Sequence, residues 1–133
     1  MKKLTLLLSL LLLVPIHAEE QSKLGAHMDE LSSLLKSTRR VDSWAEKADL
    51  ARKAQDELLA CFSLVPMMVE GVEDTAQKEK MVADYKRLLA LNYAKLCELE
   101  LAYLEEDEDL VDDIKDQLKG IKKEGHTEYI EKD

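Results

Sequence analysis

Beyond Ala18 the chain contains one proline, Pro66, few β-branched or aromatic residues, and apolar residues that recur every three or four positions. A strand needs alternation, and this spacing instead places apolar side chains along one face of a helix. Leucine, alanine, glutamate and lysine, all good helix formers, fill the positions between. The pattern predicts four helices. The first runs from about Glu20 to Thr38, with Leu24, Met28, Leu31 and Leu35 on its apolar face. The second runs from Trp44 to about Leu64, with Trp44, Ala48, Ala51, Leu58, Cys61, Phe62 and Val65 inside. Asp42 or Ser43 can cap it, and Glu46 stands three after Ser43, as in a capping box. Pro66 disfavours helix in the residue before it, so 66–74 is read as the longest connection. The third helix runs from about Thr75 to Leu104, with Met81, Tyr85, Leu88, Leu89, Leu96, Leu99 and Tyr103 inside. The acidic run 105–109 is read as a solvated turn. The fourth runs from about Asp109 onward, with Leu110, Val111, Ile114, Leu118 and Ile121 inside.

Amphipathic helices joined by short loops favour an all-α, antiparallel up-down-up-down four-helix bundle. That topology sets the start of the first helix beside the end of the fourth. At 1.5 Å rise per residue, Met28 and His126 both fall roughly 10–12 Å from the same end. Pro66, Met67, Met68, Met81, Tyr85 and Leu89 are expected at that end too, and Trp44 near the other. The outcome is an apolar pocket walled by one thioether and one imidazole. The same reasoning separates Cys61 from Cys97 by roughly 25 Å along the helices, too far for a disulfide. Both are expected to be unpaired and largely buried. No CxxC or CxxCH is present, which disfavours thiolate metal sites and covalently attached haem.

The amino-terminal stretch reads differently. Lys2 and Lys3 precede the apolar run 4–14, Pro15 breaks it, and Ala18 offers a small residue for cleavage. This is the pattern of a secretory signal peptide over 1–18, leaving 19–133 as one domain. The run is too short to span a bilayer, which takes about 20 residues, so no membrane contact is expected after cleavage. The chain carries 19 Lys and Arg against 28 Asp and Glu, a net −9, and loses only the two lysines with the signal. Such a charge repels phosphate backbones and disfavours nucleic-acid binding, while suiting a basic protein partner. No nucleophile–base pair is apparent, so no enzymatic activity is expected.

The segment Leu24-Gly-Ala-His-Met-Asp-Glu-Leu31 resembles the methionine-bearing first helix of the cytochrome b562 family. Leu31 and Leu35 follow Met28 at the family's spacing. Gln117-Leu118, with His126 and Tyr129 further on, resembles its carboxy-terminal histidine segment. The resemblance covers most of the chain after the signal. It implies a monomeric periplasmic electron carrier with one non-covalent haem b per chain, Met28 and His126 being the axial ligands of the iron. It places Tyr85 and Leu89 among the haem contacts, leucine standing where the family has an aromatic residue. The same reading puts Leu31, Leu35 and Pro66 around the group, and Lys122 where the family often has a basic residue. Lys119 and Lys123 are further candidates for the propionates.

Two features pull the other way. Lys123-Glu124-Gly125 also reads as a helix C-cap, which would end the helix before His126. His27, about 100° around the helix from Met28, is a rival ligand, and with His126 and nearby carboxylates it would make a transition-metal site. A haem-free exported bundle, serving as an interaction or chaperone-like module, is the alternative function.

Overall fold

The computed structural model describes residues 16–129, with side chains from Lys23 onward. The apolar head up to residue 15, on which the signal-peptide reading mainly rests, lies outside the described residues. Among the described residues five helices form: α1 over Ile16–Ser37, α2 over Trp44–Ala60, α3 over Met67–Glu70, α4 over Thr75–Leu104 and α5 over Glu108–Tyr129. Among the described residues there is no strand, and no helix is long and apolar enough to cross a membrane. α1 begins about four residues before its expected start. α2 is shorter than expected: it tightens into a 3-10 turn at Cys61–Ser63, and Leu64 is already extended at φ −108° and ψ 140°. The chain must be extended ahead of Pro66, so the helix unwinds before it. The connection read as loop contains α3, whose Val69 is wholly buried.

Short polar side chains start α2, α4 and α5. Ser43 Oγ accepts the Glu46 N–H at 3.4 Å, making Ser43 rather than Asp42 the cap of α2. Asp74 accepts the Gln77 N–H at 2.8 Å ahead of α4, and Asp107 accepts the Leu110 N–H at 3.0 Å ahead of α5. α4 ends in a Schellman motif: the Asp107 N–H donates to Ala102 O at 3.0 Å and the Glu106 N–H to Tyr103 O at 3.2 Å. That motif requires a left-handed residue, and Glu106 takes it at φ 57° without being glycine.

α1 packs on α2, α2 on α4 and α4 on α5, while α3 bridges α1 and α4. Between α2 and α4, Trp44 meets Tyr103, with ring centres 6.3 Å apart. Arg52 grips Glu100 through two nitrogens at 2.9 and 2.7 Å. Gln55, itself buried, donates to Leu96 O at 3.2 Å and to Glu100 at 2.8 Å. The Tyr85 hydroxyl donates to Cys61 O at 3.3 Å. Between α4 and α5, Arg87 pairs with Glu124 at 3.0 Å, and the Lys115 ammonium lies 5.7 Å from the Tyr103 ring centre. The core is Leu58, Leu96, Leu99 and Tyr103, each 1% exposed or less, extended along α5 by Val111, Ile114 and Leu118. Leu110 was expected inside but is 38% exposed; it sits in the first turn of α5, where no neighbouring element covers it. Among the described residues α1 and α5 are not in comparable backbone contact, and a seam runs between them.

Replacing Glu106 with glycine should relieve the left-handed strain, roughly 1–2 kcal/mol, and lose part of that to unfolded-chain entropy. A net gain of about 0.5–1 kcal/mol is expected in chemical denaturation; a loss would show that the Glu106 side chain itself stabilises the turn.

Candidate functional site

The seam between α1 and α5 holds two adjoining cavities. The first, about 290 Å³, is lined by Met28 from α1 and by Lys122 and His126 from α5. Tyr85, Leu88 and Leu89 of α4 and the buried Pro66 also line it. The thioether and imidazole expected to share a pocket therefore do so, together with four of the six expected contacts. The other two, Leu31 and Leu35, line the second cavity, of about 220 Å³. Three and seven residues beyond Met28, they stand roughly 4.5 and 10.5 Å further along α1. Lys122, Ser32 and Asn92 border both spaces. Met67 and Met68 are exposed, and Met81 packs against the core without lining either cavity.

His126 depends on the last turn of α5. The helix does not stop at Gly125: it continues to Tyr129. Tyr129 explains why. Its ring is buried, meets Tyr85 edge-on at 5.9 Å, and lines the first cavity. Its hydroxyl donates to Asp84 at 2.5 Å. Leu118, Ile121, Gly125 and Tyr129 continue one stripe at helical spacing, and the burial at its far end carries the helix through the glycine. A Cβ at Gly125 would meet only Leu88 Cδ1, at 4.0 Å, so the glycine is not required by space. His126 is exposed, at the cavity rim, and Met28 is half-buried.

His27 points elsewhere. Its Nδ1 lies 2.6 Å from Glu57 Oε2 on α2, which ties the ring to the α1–α2 interface and keeps it out of both cavity linings. The rival-ligand reading fails on this contact. The transition-metal reading fails with it: among the described residues no three His, Cys, Asp or Glu side chains gather as a cation site. Cys61 is buried and Cys97 half-buried, both unpaired. Burial and the Glu57 carboxylate push the Cys61 thiol up to about 11, so it is a poor nucleophile at neutral pH. Burial also pushes the Tyr85 hydroxyl upward, helped by Cys61, which leaves a neutral phenol in the cavity wall.

Tyr129 and Asn92 are among the lining residues that were not anticipated. Tyr129 was legible in the spacing after Ile121, which places it on the inner face. Asn92 was not: a single amide between apolar positions carries no periodic signal. Its side chain has no hydrogen-bond partner among the described residues. Comparison with known protein families, curated proteins and solved structures finds no match to this chain.

The Tyr129 bond lowers the Asp84 carboxyl below its ordinary 3.8, Arg87 adding to the effect. A lowered folded-state value stabilises above the ordinary value and is lost as pH falls through the lowered one. Tyr129→Phe should therefore cost roughly 1 kcal/mol at neutral pH, modest because Asp84 is partly exposed. Urea titrations of both proteins should show the difference shrinking below about pH 4. An unchanged difference at pH 2–3 would mean the hydroxyl acts through packing rather than through the carboxylate.

Proposed function

We propose that this chain is an exported electron-transfer protein of the cytochrome b562 type, a four-helix bundle holding one haem b non-covalently between α1 and α5, with Met28 and His126 as axial ligands. The observation that carries the reading is the first cavity, which brings one thioether and one imidazole to the same apolar space from two helices that do not close on each other. The up-down-up-down topology is supported by the order of cross-helix pairs. Trp44, Arg52 and Gln55 of α2, then Cys61 in the turn after it, meet Tyr103, Glu100, Leu96 and Tyr85 of α4 in turn. Along α4 and α5, Asp84, Arg87 and Tyr103 meet Tyr129, Glu124 and Lys115. Export is read from the amino-terminal pattern alone, and a periplasmic location with it.

The donor set fits the group. A neutral imidazole and a soft thioether are both ligands that haem iron accepts. When bound between them, the haem supplies a one-electron iron couple at a raised potential with no open coordination position. The chain's own residues do the rest. Pro66, Tyr85, Leu88 and Leu89 exclude water from the cavity floor. Tyr129 fixes the last turn of α5 and so the height of His126. Glu57 holds His27 away and leaves Met28 without a competitor on α1. Lys122, exposed at the rim of both cavities, is placed to meet a carboxylate of the cofactor. The acidic surface, net −9, would steer a basic redox partner.

Hemin titrated into the protein should saturate at one per chain, with a sharp Soret band and resolved reduced α and β bands. Met28→Ala and His126→Ala should each weaken binding about tenfold or more, equivalent to about 1.4 kcal/mol, and lose the low-spin reduced spectrum. His27→Ala should keep both. A protein that stays colourless with hemin would sink the proposal and leave the haem-free bundle as the better account.

A further inference from the structure

The second cavity has a chemistry of its own. Leu31, Leu35 and Leu118 give it apolar walls. Five cations surround these: Lys36 from α1 and Arg39 from the turn after it face Lys115, Lys119 and Lys122 from α5. No carboxylate lines the space. This is unusual for a chain in which acids outnumber bases by 28 to 19.

Elsewhere among the described residues about half of the cations are matched by an acid. Lys53, Arg52, Lys78, Arg87 and Lys95 all pair with carboxylates. Around the second cavity, Lys36, Arg39 and Lys122 have no ion-pair partner among the described residues. Lys115 spends its ammonium on the Thr38 hydroxyl at 3.1 Å, not on an acid. Lys119 reaches only Asp116 on its own helix, at 3.3 Å and with both side chains largely exposed, a geometry worth little. The neutral donors nearby are uncommitted too: Ser32 and Asn92 line the cavity without a hydrogen-bond partner among the described residues.

Like charges facing each other across a seam repel, and they oppose closure of α1 on α5. An anion between them removes that repulsion. At physiological salt, charges further than about 8 Å are largely screened, so for a ligand inside the cavity the five cations of its wall count for more than acids further than that away. The three leucines require that the anion carry an apolar body. Arg39 offers a planar donor fork that suits a carboxylate, and the lysine stems extend the apolar wall towards the rim.

We propose that this cavity binds a single-chain amphiphile ending in a carboxylate, its head group held by Arg39, Lys36 and Lys119 and its chain laid on Leu31, Leu35 and Leu118. The second cavity shares only the border of Ser32, Asn92 and Lys122 with the first, although the resemblance sets Leu31, Leu35 and Lys119 beside the haem as well.

Calorimetric titration of the full chain with decanoate, below its micellar concentration, tests it. One decanoate should bind per chain, more weakly as salt rises. Decanol should bind roughly tenfold less tightly or worse, since it lacks the charge-assisted bonds, and acetate should give no measurable heat. Arg39→Glu with Lys119→Glu should weaken decanoate at least about tenfold. Lys53→Glu with Lys95→Glu, the same change of net charge away from the seam, should not. Lys36→Glu alone gives a second, milder reading in the same direction. Decanol binding as tightly as decanoate would overturn the proposal, as would acetate binding equally well or a double reversal at Arg39 and Lys119 without effect.

Discussion

Everything in this molecule depends on α4. It is the longest helix, 30 residues, or about 45 Å at helical rise. α2 packs along one side of it and α5 along another, while α1 packs on α2 and on the connection that follows it. Because α1 and α5 each have a different neighbour to satisfy them, they need not close on each other. Half-buried Met28, Leu35 and Ile121 are what that arrangement leaves at the seam: apolar surface that a ligand could cover at about 25 cal/mol per Å².

The connection 61–74 turns this opening into a pocket instead of a cleft. Pro66 forces the end of α2 to unwind, α3 sinks Val69 into the core, and Lys78 ties back to Glu70 at 3.2 Å. The result floors the cavity beneath Met28 and His126. Tyr129 does the same for α5 from the other side. One buried phenol, bonded to Asp84 and set against Tyr85, is enough to carry a helix through a glycine and past an exposed histidine.

The helices were legible because periodicity is a local signal: four stripes at helical spacing, and a cap at Asp42 or Ser43 that the structure assigns to Ser43; the caps at Asp74 and Asp107 were not read. The convergence of Met28, His126, Pro66, Tyr85 and Leu89 was legible too, because short loops leave few ways to arrange four amphipathic helices. What was hidden were outcomes of competition between neighbours. Gly125 taken alone reads as a stop, and only the burial of Tyr129 reverses that. His27 is a good ligand until Glu57 claims it from another helix. The matching of cations is equally non-local: Lys36 and Arg39 look like ordinary surface residues until α5 sets three lysines opposite them.

The central claim is that the α1–α5 seam is a cofactor slot closed from one side by Met28. Proton NMR of the hemin-loaded, reduced protein tests it most directly. A thioether bound to low-spin iron has its methyl group over the porphyrin face, where the ring current acts most strongly. The account predicts one methionine methyl resonance shifted far upfield of the protein envelope, assigned to Met28 by its loss in Met28→Leu. Hemin-loaded protein with every methionine methyl in its ordinary range would contradict it.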